Sequence, residues 1–532
     1  MNFIFKHRIA LTLALLFIIT LADFGGFLNI GPRNMHTWRQ SDCVSLTYLY
    51  YEGNSFLEPE MHLQFGDEYT TGKSAGELPI LYYAVGQLWK LTGPSYFVYR
   101  FIGLLILLLG VVSAYGSMRL LFPKSLIPEF FTLLIYSSPA YVYYSVSFLT
   151  DGPAISSVFI GLYFLALYAV HSNKKALVGM FFFFALAGGL KVSALMAPLF
   201  LLGVLFLETL GIKTLKNRSL FKDRGIIWLG YALMMGAIFS WYYYADGYND
   251  LHRFKYTFNN IHPFWIIPEG KTSKILTDVG ARMIPLYFNY IGAVLLALLP
   301  FITLFFFRKR IPLLASLASG IMSLGAVAYF LLWMPLMGIH DYYYAVLVIL
   351  IPAIGIPFAM GMQAYRPEGL KSKTALIVLT GFFAYSVVYS VGVVRLKTGD
   401  SKSFTQYAVP THVRDLLRWF NGDFKRVWAP LERLQPELEN WGVDENTKII
   451  AGPDDSFNRT LIYLNRKGWT SFIPFKDGKD VEKCIANGAE YLFVIKKHEE
   501  FLEPFLPYIE TELPPFETVR IFRLKTNDSP AL

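Results

Sequence analysis

The chain of 532 residues holds two cysteines, Cys43 and Cys484, which leaves no basis for a disulfide framework. Charge is scarce as well. Asp, Glu, Lys and Arg make up 16% of the residues, where soluble domains carry about 25%. No internal repeat or low-complexity tract is visible, and no glycine-rich phosphate loop marks a nucleotide site. The first apolar stretch contains Asp23 and lacks a clear small-residue cleavage site after it, so it reads as a permanent helix rather than a signal peptide.

What the chain has in abundance is apolar residues, 54% hydrophobic and 17% aromatic, gathered in blocks. Ile9–Ile30, Phe101–Leu121, Phe130–Phe148, Pro153–Val170, Ala176–Gly189, Ser193–Leu210, Gly225–Ala245, Pro285–Phe307, Ile311–Gly338, Ala345–Ala364 and Ala375–Val394 are each close to membrane-spanning length, taking about 17–25 residues per span. The sequence therefore predicts a polytopic α-helical membrane protein with about eleven spans. Its net charge of +9 does not indicate nucleic acid, because the basic residues fall in short loops between apolar runs.

Those basic loops are Lys6–Arg8, Arg119–Lys124, Lys174–Lys175, Lys213–Arg224, Arg308–Arg310 and Arg366–Lys373. Placing them in the cytoplasm leaves 31–99, 148–152, 189–192, 246–284, 338–344 and everything after 395 outside, with the N-terminus inside. Leu78–Leu91 is apolar but short, and is expected at the outer interface within the first external loop. Residues 1–397 are thus expected as the membrane domain. From 398 to 532 the charge rises and the long apolar runs stop. Short β-rich pieces (Lys448–Ala451, Ser471–Pro474, Tyr491–Ile495, Val519–Leu524) there alternate with helical patterns (Phe457–Lys467, Val481–Asn487, Phe501–Ile509). The alternation predicts a small extracytoplasmic α/β domain.

The external loops carry the ionisable residues. The first reads HTWRQSDCVSLTYLYYEG from His36 to Gly53 and goes on through several carboxylates to Glu77. The second, FLTDGPA, holds Asp151, and the third, GGLKVSA, holds Lys191. Further on lie His252, Arg253, Lys255, His262 and Arg282, and then MGIHDYYYA with His340, Asp341 and Tyr343. Ionisable groups at membrane depth are costly and usually line a cavity or pathway. A carboxylate in such surroundings can serve as a general base once its pKa rises. Cations at the same depth can neutralise a phosphate leaving group. A lipid-linked phosphosugar would meet both needs, with its tail among the helices and a hydroxyl acceptor arriving from outside.

HTWRQSD with the acidic loop after it, then ELPILYYAVGQLWKLTG-x5-YR, then SPAYVYYSVSFLTDGPA, resembles the GT-C glycosyltransferases. In pattern the sequence is most similar to the protein O-mannosyltransferases and the lipid A aminoarabinose transferases. The likeness runs through roughly residues 1–395. It implies a polyprenyl-phosphate-linked sugar donor, inversion at the anomeric carbon, and an essential Asp in the first external loop. Carried over by position, Asp42 is the general base and Asp151 a second acidic residue that orients sugar or acceptor. Lys191 and Arg100 match basic positions able to contact the lipid phosphate. Glu77 matches the acidic residue of an EKP-like motif, but the sequence here is Glu77-Leu78-Pro79. The missing lysine counts against an aminoarabinose donor. Asp42 is followed by Cys43, so the Asp-Glu pair of the mannosyltransferases is absent too.

Plainer readings stand beside these. Arg39 and Asp42, three apart, form a helical ion pair in one of them. Asp151 before Gly152-Pro153 suits a helix cap. Lys191 can snorkel to the interface, and the tyrosines after His340-Asp341 suit an interfacial aromatic belt. His252, Arg253 and His262 show no motif, and Cys43 fits a small packed residue. No ligand spacing supports a metal site at Asp42, Glu77 and a histidine. No cofactor is expected to be required, although a divalent cation is compatible. The expected partners are the polyprenyl-phosphate sugar, a hydroxyl acceptor (protein, lipid or glycan) and the bilayer, in a cell inner or plasma membrane. A transporter or flippase of lipid-linked sugars is the alternative, disfavoured because no repeated halves are seen.

Overall fold

The computed structural model describes residues 2–254, 260–366, 373–473, 475, 478–495 and 499–525. Lys255, residues 367–372 of the basic loop and Pro474 lie outside them. The chain divides into two compact units, one made of Met1–Asn29, Arg100–Trp241 and Asn260–Asp415, the other of Ile30–Tyr99, Tyr242–Asn259 and Leu416–Leu532.

Among the described residues, nine helices are long and apolar enough to cross a membrane. They are His7–Phe24, Tyr96–Leu121, Asp151–His171, Val192–Thr209, Arg224–Leu251, Tyr290–Phe307, Leu313–Leu332, Asp341–Tyr365 and Lys373–Lys397. Large apolar side chains such as Leu229, Phe239, Phe305 and Leu324 stand exposed on them, as lipid-facing residues do. Two of the eleven expected spans are not among the nine. Phe130–Phe148 breaks into Ile127–Tyr136 and Pro139–Ser145, because Pro139 has no N–H to continue the ladder and Ser138 before it is extended. Ala176–Gly189 becomes the sixteen-residue helix Lys175–Leu190, which ends where Lys191 turns extended. Pro285–Phe307 is interrupted at Phe288, and a new helix starts at Tyr290, capped by Asn289, whose side chain accepts from Gly292 N–H at 2.9 Å.

The second unit is built on a five-stranded sheet of β1 (Lys448–Gly452), β2 (Gly468–Thr470), β3 (Ala489–Ile495), β4 (Ile509–Glu512) and β5 (Val519–Leu524), in the order β2-β1-β3-β5-β4. The first three run parallel, and β5 and β4 join antiparallel. Ile450, Trp469, Leu492, Val494, Phe505 and Phe522 close its core. The first loop belongs to this unit by hydrogen bonding: Gln64 N–H donates to Gly468 O at 2.8 Å and Gly468 N–H to His62 O at 3.1 Å. The short apolar segment expected at Leu78–Leu91 is the helix Ile80–Thr92, thirteen residues long. It packs against Thr37–Glu52 at Gly86, where a β-carbon would lie 2.8 Å from that of Tyr50. A larger residue would push the two helices apart.

Candidate active site

The helix Thr37–Glu52 buries Thr37, Arg39, Gln40, Ser41 and Asp42 along with its apolar residues. Polar groups buried this densely need partners, since an unmet one costs about 1–3 kcal/mol. Arg39 donates to Glu77, and Tyr82 Oη donates to the same Glu77 oxygen at 2.6 Å. The local Arg39–Asp42 pair suggested by spacing is therefore not the ion pair formed; Arg39 turns to a carboxylate 38 residues away.

Asp42 is fully buried. Its Oδ1 accepts from Asn458 Nδ2 at 3.0 Å, and its Oδ2 has no hydrogen-bond partner among the described residues. Burial pushes this carboxyl up to about 7, against the opposing pull of Arg39 and of the Asn458 hydrogen bond. Glu77 and Asp454 raise it further. Such a group changes charge near neutrality and can take a proton from a hydroxyl brought to its unpartnered oxygen. Close by, Ser45 Oγ meets His62 Nδ1 at 2.8 Å, and burial holds that imidazole down at about 3, so it is neutral. Cys43 Sγ lies 3.2 Å from Tyr82 Oη, and burial pushes its thiol up to about 12. It is packed and unreactive.

The other expected residues lie in the first unit. Asp151 opens the helix Asp151–His171 and pairs with Lys191 at 3.1 Å. The start of that helix is seated by Gly152, where a β-carbon would run into the backbone of Ser145. Lys191 Nζ lies 5.3 Å from the ring centre of Tyr343 and 5.4 Å from that of Tyr342. His340 stacks on both tyrosines, at 5.3 and 5.9 Å. Asp151, Lys191, Tyr343 and His340 thus form one cluster. Asp341 takes different partners: it is fully buried and bound by Lys397 and Tyr144 Oη. Arg100, also fully buried, donates to Val146 O at 2.7 Å, and its guanidinium carbon lies 4.1 Å from Phe27 and 4.0 Å from Phe148. Arg282 stands apart, half exposed, with Asp278 at 3.4 Å.

Asn458 and Lys397 were not singled out in the sequence. Neither carries a motif, although a lysine ending an apolar run is a visible oddity. Among the described residues no group of three His, Cys, Asp or Glu side chains is arranged to hold a metal ion.

No protein-family model and no curated protein matches the sequence. Solved structures do. ArnT from Cupriavidus metallidurans in the apo state superposes with a TM-score of 0.57 at 13% identity, over 97% of this chain and 98% of that one. The same protein bound to undecaprenyl phosphate gives 0.55 at 14%, over 99% of both chains. The arabinofuranosyltransferase AftD from Mycobacteria gives 0.54 at 13%, over 98% of this chain and 40% of its own. The chain shares their fold. This is the GT-C architecture that the loop motifs resembled, and it makes the chain a multi-pass membrane protein.

Proposed function

We propose that the protein is an inverting membrane glycosyltransferase that moves a sugar from a polyprenyl phosphate to a hydroxyl acceptor, with Asp42 as general base. The observation that carries this is the buried Asp42 carboxyl, lifted to about 7 with Oδ2 unpartnered. The shared fold supports it, since ArnT was solved with undecaprenyl phosphate bound. In the proposed step the acceptor oxygen attacks the anomeric carbon as Asp42 Oδ2 takes its proton. The bond from that carbon to the phosphate oxygen breaks, and polyprenyl phosphate departs with the electron pair. Asp42 then returns the proton to solvent.

Lys191 is the cation assigned to the lipid phosphate, with Asp151 holding it and the Tyr343 and Tyr342 faces flanking it. Arg100 is enclosed by rings and a carbonyl, which suits support of the backbone around Val146 better than presentation to a ligand. Glu77 sets Arg39 beside the base. The donor sugar is a hexose or pentose, and no cofactor is required. The reading places the protein in a bacterial inner membrane, N-terminus in the cytoplasm and residues 398–532 outside.

Purified wild type and Asp42→Asn, given labelled undecaprenyl-phosphate-linked mannose or arabinose and candidate acceptors, test it. Wild type is expected to release undecaprenyl phosphate and Asp42→Asn to lose at least ~100-fold in rate, the scale of general-base catalysis. Equal rates would remove the base assignment. Lipid movement across vesicles by the wild type, with no release, would establish a flippase instead.

A further inference from the structure

Asn458 belongs to the C-terminal segment, 416 residues from Asp42 in sequence, yet it makes the hydrogen bond found on that carboxylate. Its own side chain is fully buried, and every polar atom is used. Oδ1 accepts from Leu63 N–H at 2.9 Å and from Ser45 Oγ at 3.4 Å. Nδ2 donates to Asp42 Oδ1 at 3.0 Å and reaches Met61 Sδ at 3.3 Å. These partners fix which way the amide points. A backbone N–H can only donate, so the atom facing Leu63 must be the oxygen, and the NH2 is left to face Asp42. Flipping the amide would set oxygen against a carboxylate and N–H against N–H.

The loop that delivers Asn458 is built to hold still. It leaves the carboxyl end of β1, where α/β sheets commonly place functional loops. Asp454, buried within it, takes Ser456 N–H at 3.0 Å on one oxygen, and Thr460 N–H at 2.9 Å and Thr460 Oγ1 at 3.0 Å on the other. Arg459 adds an ion pair to Asp454 at 2.9 Å, with its guanidinium carbon 3.6 Å from the ring centre of Trp428. Thr470 Oγ1 in β2 donates to Ser456 O at 2.6 Å. A loop needs no such lattice of bonds merely to cross from a strand to a helix.

From this geometry we infer that Asn458 is a positioning residue: the C-terminal α/β segment reaches back to orient the Asp42 carboxylate and keep Oδ2 directed to the proton it takes. The inference rests on the reading of Asp42 as the base. It makes the segment part of the reaction centre rather than an accessory for acceptor capture. The charged groups facing Asp42 are Arg39 on its own helix, Glu77 ahead of Ile80–Thr92, and Asp454 on the delivering loop. Arg39 and the Asn458 amide favour the ionised form, while Glu77 and Asp454 oppose it. Removing the amide donor therefore moves the Asp42 titration to higher pH.

The test uses full-length protein in detergent and needs no substrate. Infrared difference spectra against Asp42→Asn isolate the Asp42 carboxyl band through a pH titration. The wild-type midpoint is expected near 7. Asn458→Leu, which deletes the donor, should raise it by about one pH unit or more. Asn458→Asp, which keeps the acceptor for Leu63 and adds a second carboxyl, should raise it further. An unchanged midpoint in both folded variants would overturn the inference. Should neither variant fold, the native chain decides: the Asn458 side-chain NH2 resonance must move with the Asp42 midpoint and stay still in Asp42→Asn. A resonance indifferent to pH in the wild type would overturn it equally. Sugar transfer by Asp42→Asn at the wild-type rate would instead remove the base reading on which the inference rests, an outcome told apart from the others because both titrations remain readable without activity.

Discussion

Asp42 carries a consequence for stability that can be measured without any substrate. Its carboxyl has an ordinary value of 3.8 and stands at about 7 in the fold, chiefly because burial penalises the charge. That gap of about 3 pH units corresponds to about 4 kcal/mol, at 1.36 kcal/mol per unit. Between about pH 4 and 7 the folded chain keeps a proton that the unfolded chain has released. The unfolded state then binds fewer protons, so stability falls as pH rises through the window, and the whole penalty is present above it. Asp42→Asn is neutral throughout, and its amide oxygen can still accept from Asn458. Unfolding of the two proteins, compared at each pH, cancels every other titrating group. From about pH 5 to pH 8 the variant should gain about 2.5 kcal/mol on the wild type. The same titration sets the rate of transfer by the wild type, which should fall about tenfold per pH unit below 7. A stability difference that stays flat over this range would refute the reasoning, because a carboxylate ionised throughout would leave it flat.

Three further outcomes follow from the packing. Lys397→Met leaves Asp341 buried without its cation and should cost about 3–5 kcal/mol, while Lys397→Met with Asp341→Asn should recover most of it; the unfolding midpoint in detergent reports both. Gly152→Ala sets a β-carbon against the backbone of Ser145, so a loss of about 1–3 kcal/mol is expected, and Ser145→Gly should not restore it. Lys191→Met should weaken binding of undecaprenyl phosphate by about ten- to a hundredfold, the worth of a hydrogen bond to a charged group, as read by lipid-binding titration.

The parts of this protein legible in its sequence are those whose cause is local. Apolar runs declare helices because each must satisfy its own backbone in lipid. Strands β1, β3 and β5 were foreseen to within two residues, as dense β-branched and aromatic pieces should allow. The misses have tertiary causes. Strand β2 occupies Gly468–Thr470 rather than starting at Ser471, and it opens on a glycine at φ 151°, a residue no propensity would choose. Strand β4 (Ile509–Glu512) is mostly exposed and exists through its pairing with β5, so its polar residues after Ile509, where the helical pattern ends, carry no strand signal of their own.

The site divides along the same line. Asp42, Asp151 and Lys191 stand out in the sequence because a charge beside an apolar run is costly wherever it occurs. What each charge pairs with was not. Spacing offered Asp42 to Arg39, but on this helix the guanidinium goes to Glu77 and the carboxylate to Asn458. The difference matters chemically. A carboxylate in a direct ion pair would be held low and ionised, a poor base near neutrality. Held by one neutral amide, and with Arg39 engaged by Glu77, Asp42 keeps an oxygen unpartnered and a pKa near the pH at which it would have to work. Under the proposed function, pairing Arg39 elsewhere is what would let the loop HTWRQSD carry a base, and those pairings are made by residues far away in the chain.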